Sequence, residues 1–203
     1  MDKTTEELLR EYVLSNKLDA GVAYDGDADR CLCVDEKGNM VDGDMIMSIC
    51  AMDLKERGKL NHNAVVGTIM TNFGFGKFCE ANDLRFIATK VGDRYVLERM
   101  LLNGYNFGGE QSGHIIMKKY ATTGDGLLTA IMLAEEVCDT KKSLGALTEG
   151  LTVYPQLVKN VKVTSKDAVF ADEAVQAAFA EVEALIGGEG RALLRKSGTE
   201  PKI

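Results

Sequence analysis

The chain is 203 residues long, 45% hydrophobic and 27% charged, with 21 glycines and two prolines, the profile of an ordinary folded protein with room for one large domain or two smaller ones. Its net charge of −7 at pH 7 excludes a general attraction to nucleic acid or to an anionic membrane, so any anionic ligand must be held by local basic groups. Five cysteines without paired CxxC spacing, no secretory leader and no long apolar span lead us to expect reduced thiols and a cytoplasmic location.

In chain order, "TTEELLREYVLSNK" opens with a Thr4-x-x-Glu7 capping box and sets Leu8, Leu9, Tyr12 and Val13 on one helical stripe. "AGVAY" and "CLCVD" read as strands on either side of an aspartate loop, with the alternation in "CLC" read as buried and half-buried strand residues rather than a thiolate metal ligand. After a turn at "EKGN", Asp44 is expected to open a helix that Lys55, Arg57 and Gly58 close. Strand and helix then alternate: "AVVGTIM", a helix near "GFGKFCEAN", "LRFIAT", the helix "DRYVLERMLLNG", "YNFGG", a loop into "HIIMKK", and the helix "GDGLLTAIMLAEEV". Apolar, β-branched strands between helices argue for the α/β class, a mixed or parallel sheet layered with helices and buried on both faces.

Pro155 and the alternating "LVKNVKV" change the pattern near residue 151. The tail reads as a strand, the helix "DEAVQAAFAEVEALI" and a second strand "RALLRKSG", a partial α+β unit too short to enclose a core. The first forty residues have the same defect, and both ends are expected to be cut. The divisions are therefore 1–40, 41–150 and 151–203.

Three stretches carry chemistry. In "DGDADR", Asp25, Asp27 and Asp29 crowd three carboxylates together, which a folded chain tolerates when a cation sits among them; hard oxygen ligands favour Mg²⁺. An EF-hand is excluded because its sixth position is Arg30 rather than glycine and its flanks read as strands; a haloacid-dehalogenase-like Asp-x-Asp is disfavoured by Asp29. A solvated acidic turn is the plain alternative. In "FGGEQSGHII", Glu110, Ser112 and His114 offer an acceptor, a hydroxyl and an imidazole, a set suited to a sugar or to a water-facing hairpin. In "LLRKSGTEP", Arg195, Lys196, Ser197, Gly198 and Thr199 suit a phosphate. "KVGDRYV", where Lys90 and Arg94 flank a Gly-Asp turn, is weaker, since a cation near a helix start is often only solvated.

These motifs in this order resemble the α-D-phosphohexomutase superfamily, and "GEQSGH" is similar to its glucosamine-phosphate branch. The resemblance covers essentially the whole chain, but the chain covers only part of such a protein: the end of the second domain (1–40), the third (41–150) and part of the fourth (151–203). It implies that Asp25, Asp27 and Asp29 hold Mg²⁺ and that Arg30 steadies the phosphoryl group. It further implies that Glu110 and Ser112 grip the sugar and that His114 serves as a general acid or base. Gly92, Arg94, Arg195, Ser197, Gly198 and Thr199 would bind the phosphate that is not reacting. The implied reaction interconverts glucosamine 6-phosphate and glucosamine 1-phosphate through a 1,6-bisphosphate and a phosphoserine.

No serine loop of that kind precedes Asp25, so we expect a missing N-terminal domain of the same protein to supply it and the isolated chain to lack turnover. The alternatives are the phosphomannomutase and phosphoglucomutase branch, from which Gln111 tilts the reading away, and a non-catalytic module that binds metal or sugar phosphate.

Overall fold

The computed structural model describes residues 3–197 and 201–203. The chain divides into two compact units, Met1–Val153 and Tyr154–Ile203.

The first unit opens with α1 (Lys3–Asn16), which lies against β1 (Ala20–Tyr24) through Leu9 and Val13; a Cβ on Gly21 would come within 2.5 Å of Val13 Cγ2, so glycine permits the approach. The helix begins at Lys3, which puts Thr4 inside its first turn rather than at its cap. Only part of the expected apolar stripe is covered: Val13 is fully buried, whereas Leu8 and Tyr12 are 62% and 63% exposed. β1 pairs antiparallel with β2 (Cys31–Asp35), and β2 with β3 (Met40–Val41). Because the register sets Tyr24 opposite Cys31, residues 25–30 are the loop of a hairpin.

The second sheet has the order β5-β4-β6-β7, with β4 (Ala64–Thr68) parallel to β5 (Arg85–Thr89) and to β6 (Phe107–Gly109), and β7 (Ile115–Met117) antiparallel to β6. Strand alternation sends successive side chains of β4 into two cores. Val65 joins Ile46, Phe75, Phe107, Ile115 and Leu133, a cluster supplied by α2 (Gly43–Glu56), α3 (Phe73–Ala81) and α5 (Gly126–Thr140). Ala64 and Val66 join Val96, Met100 and Ile116 beneath α4 (Asp93–Asn103). The result is the helix–sheet–helix layering expected for this pattern. Cys31, Cys33 and Val41 belong to the same cluster as Ile46 and Phe107, so residues 1–40 and 41–150 share one core.

Both Cys31 and Cys33 are buried, their Sγ atoms 3.8 Å apart: they point to the same core side, with the half-buried Leu32 between them on the other. Burial pushes the Cys50 and Cys79 thiols up to about 12, as befits inert core residues, and all five thiols are free. Among the described residues no helix is long and apolar enough to cross a membrane.

Helix α2 is capped by Asp42, whose Oδ1 accepts from the Asp44 and Met45 N–H groups at 3.1 Å. Asp44, expected as the helix opener, instead lies in the first turn, buried, and its Oδ2 accepts from Asn72 N at 2.7 Å. At the other end Arg57 pairs with Asp53 and reaches Glu135 and Asp139 of α5 at 3.1 Å each, clamping α2 to α5.

The second unit holds α7 (Lys166–Ala171) and α8 (Glu173–Ile186), following the short α6 (Leu144–Thr148) of the first. The strands expected in "LVKNVKV" and "RALLRKSG" are not formed among the described residues. Instead Val161 and Val163 pair with residues 201–203 through bonds of 2.8–3.0 Å and a single bridge from Lys162 to Lys202. No described residue of this unit is buried, so there is no core face to hold a longer strand.

Burial and the neighbouring Asp53 carboxylate hold Glu136 above the usual carboxylate value of 4.5. The folded state then binds the Glu136 proton more tightly than the unfolded chain, so this group's contribution to stability falls as pH rises from 4.5 through the raised value. Glu136→Gln is expected to flatten that slope and raise the melting temperature above neutral pH; a lower melting temperature there would contradict it.

Candidate metal and sugar-phosphate site

The hairpin loop between β1 and β2 folds back on itself. Ala28 takes the left-handed conformation with φ +58°, Ala28 N donates to Asp25 O at 3.2 Å, and Arg30 N donates to Asp25 Oδ1 at 3.2 Å. This bend overcomes the alternation that would separate the side chains in a strand. Asp25, Asp27 and Asp29 each present one carboxylate oxygen, all within 4.8 Å of one another. Arg30 Nε stands 3.6 Å from Asp25 Oδ2 and 3.7 Å from Asp29 Oδ1, one guanidinium against three carboxylates. Asp29 Oδ1 is buried and lacks a hydrogen-bond partner. Clustered hard oxygens with excess negative charge and an orphaned buried oxygen fit a small divalent cation.

The turn from β6 to β7 docks onto this loop by backbone contacts. Arg30 and His114 form an antiparallel bridge, and Cys31 N donates to Gly113 O at 3.1 Å. On its other side the turn meets α2: Gly43 N donates to Gln111 O at 3.0 Å, and Gln111 Nε2 donates to Asp42 Oδ2 at 3.2 Å. Glu110 Oε1 accepts from Gly92 N at 3.0 Å, tying in the N-terminus of α4. The approach is too close for side chains. A Cβ on Gly43 would collide with the Glu110 carbonyl oxygen, and one on Gly113, where φ is +91°, with that of Cys31.

A third segment completes the support. Gly126 N at the start of α5 donates to Ala28 O at 2.9 Å, and Gly124 N donates to His114 Nε2 at 2.9 Å. The His114 Nδ1 atom lies 3.1 Å from Asp29 Oδ2 and the residue is only 3% exposed. His114, read from sequence as a general acid or base, has both ring nitrogens in hydrogen-bond contact within the chain.

A cleft of about 560 Å³ opens beside the loops, lined by Arg30, Asp42, Glu110, Gln111 and Ser112, with Thr68 and Met70 at the end of β4. Ser112 and Arg94 are exposed, the latter in the first turn of α4. In the second unit Arg195 is exposed, Lys196 pairs with Asp167 at 2.6 Å, and Ser197 O accepts from Lys166 Nζ at 2.7 Å. Gly198 and Thr199 lie outside the described residues.

Residues 42–154 match the family profile described as "Phosphoglucomutase/phosphomannomutase, alpha/beta/alpha domain III", and residues 158–203 match that family's C-terminal domain. The chain belongs to the phosphoglucomutase/phosphomannomutase family. It is similar to the phosphoglucosamine mutases of Anoxybacillus flavithermus and Bacillus mycoides, in each case 52% identical over 200 residues that make up 98% of this chain and 45% of the relative. This family member thus spans less than half the length of the relatives it matches. Its fold is similar to that of an N-acetylglucosamine-phosphate mutase in a product complex (TM-score 0.74, 19% identity, 95% of this chain and 48% of that one). The Aspergillus fumigatus N-acetylphosphoglucosamine mutase, solved with GlcNAc-6P and magnesium, is also similar (TM-score 0.72, 19% identity, 95% of this chain and 47% of that one).

Sequence reasoning missed Asp42 as the residue that joins α2 to the sugar loop, and missed Gly124. The signal for the second was present in "TTGDG", two glycines flanking the Asp125 helix cap, a spacing suited to close backbone approach.

Gly113→Ala adds both left-handed strain and a collision with fixed backbone and is expected to cost more than about 2 kcal/mol in denaturant unfolding. Gly58→Ala, at φ +66° with nothing within 4 Å, should cost about 1 kcal/mol. Equal losses would show that the docking of the turn onto the aspartate hairpin is not tight.

Proposed function

We propose that this chain is the metal-loop and sugar-loop part of a phosphosugar mutase that interconverts glucosamine 6-phosphate and glucosamine 1-phosphate in the cytoplasm. The observation that carries the reading is the convergence of Asp25, Asp27 and Asp29 beside Arg30, which lines a cleft together with Glu110 and Ser112. The 52% identity to phosphoglucosamine mutases, and the GlcNAc-6P and magnesium bound by the Aspergillus enzyme, support the substrate class and the metal.

In this reading Asp25, Asp27 and Asp29 hold Mg²⁺, which supplies positive charge against the phosphoryl oxygens. Arg30 neutralises the phosphoryl group in transfer, a task that asks mainly for positioning and charge. Glu110, fixed through Oε1 by the Gly92 N–H, and Ser112 orient the sugar. Gly92 with Arg94 in the first unit, and Arg195, Ser197, Gly198 and Thr199 in the second, are each read as phosphate-binding groups. A phosphoserine on a further domain of the same protein, as the sequence resemblance implies, gives its phosphoryl group to the free sugar hydroxyl. It recovers the other phosphoryl group from the 1,6-bisphosphate, so no phosphate is gained or lost.

The test is a chimera in which the preceding half of the Bacillus mycoides phosphoglucosamine mutase is joined to this chain. It should isomerise glucosamine phosphates in preference to mannose and glucose phosphates. Asp27→Asn should lower kcat about a hundredfold, the equivalent of roughly 2.7 kcal/mol. A preference for plain hexose phosphates would move the chain to the other branch of the family, and ligand binding without turnover would make it a binding module.

A further inference from the structure

We infer that His114 is a positioning residue that holds Asp29 in its metal-facing orientation by donating from Nδ1, and that Gly124 fixes the tautomer that makes this possible. The inference rests on the proposed reading of the aspartate loop as a metal site. A backbone N–H only donates, so the 2.9 Å contact from Gly124 N requires an unprotonated Nε2. A neutral imidazole carries its one proton on the other nitrogen, which places a donor at Nδ1, 3.1 Å from the acceptor-only Asp29 Oδ2. Among the described residues, the Asp93 carboxylate also approaches the ring, with Oδ2 4.0 Å from Nε2, beyond hydrogen-bond reach.

The consequence falls on the other oxygen of Asp29. With Oδ2 held by the ring, Oδ1 is the atom left buried without a hydrogen bond, and it is the oxygen nearer Arg30, at 3.7 Å. His114 thereby occupies one oxygen of Asp29 and leaves the other free to take a ligand, as outer partners of metal ligands commonly do. The arrangement has no slack: a Cβ at Gly124 would lie 2.5 Å from Asp29 O and 2.7 Å from His114 Nδ1. The histidine is thus the middle link of a chain from the start of α5, through the sugar loop, to the metal loop.

Two isosteric substitutions separate the two links. Asn places its amide nitrogen near the position of Nδ1 and keeps a donor to Asp29; Gln reaches the position of Nε2 and keeps an acceptor for Gly124. Two measurements on the full chain decide the matter. Nitrogen-15 NMR at neutral pH, with His114 assigned by comparison with His62→Gln, should show Nδ1 protonated and Nε2 unprotonated. Calorimetric Mg²⁺ titration should show His114→Asn binding within about threefold of the parent and His114→Gln weakened about tenfold. A proton on Nε2, or equal losses in the two variants, would overturn the inference. If the parent chain binds no Mg²⁺ yet shows the Nδ1–H tautomer, the metal reading fails while the bond from His114 to Asp29 stands.

Discussion

Three carboxylate oxygens within 4.8 Å of one another are the constraint on which this structure turns. At an effective dielectric constant of about 20, each pair of unit charges at such a distance repels by about 3 kcal/mol, less where the groups face water. Arg30 answers part of that repulsion at 3.6 and 3.7 Å, but a single positive charge cannot neutralise three negative ones. The loop must therefore be held from outside. Its backbone is fixed by the β1–β2 hairpin, by the turn that follows β6 and by the start of α5.

That support explains the placement of glycine. Gly43, Gly113, Gly124 and Gly126 each sit where a Cβ would meet a carbonyl oxygen of a neighbouring segment. Residues 25–31 thus meet both 110–114 and 124–126 backbone to backbone, while the His114 ring links the latter two segments. Backbone contacts of this kind position side chains more rigidly than contacts between flexible side chains. The α2 cap extends the same unit, because Asp42 serves both the helix N-terminus and Gln111.

Much of the α/β unit was legible in the sequence. Strand β4, AVVGT, is a nearly all-apolar run with helices on either side, and that pattern leaves little but a buried parallel strand. The aspartate loop was readable as a cluster because three like charges so close together demand a physical explanation. What local pattern could not show was tertiary partnership. "RALLRKSG" has the residues of a strand, yet no buried face exists among the described residues of its unit to pair with it. Alternation puts Cys31 and Cys33 on one face of the hairpin sheet, but that this face is the buried one is set by the core packed against it. His114 looked available for proton transfer in a polar, glycine-rich stretch, and only the fold reveals Asp29 and Gly124 on its two nitrogens.

The most direct test of a metal centre built on Asp25, Asp27 and Asp29 is a crystal structure of the chain grown with Mn²⁺ in place of Mg²⁺, with the ion located by its anomalous scattering. The prediction is one strong peak bound by a single oxygen from each of the three aspartates, with Asp29 contributing Oδ1 while Oδ2 stays on His114. A peak elsewhere on the surface, or none at millimolar Mn²⁺, would contradict it and leave the loop an acidic turn balanced by Arg30 alone.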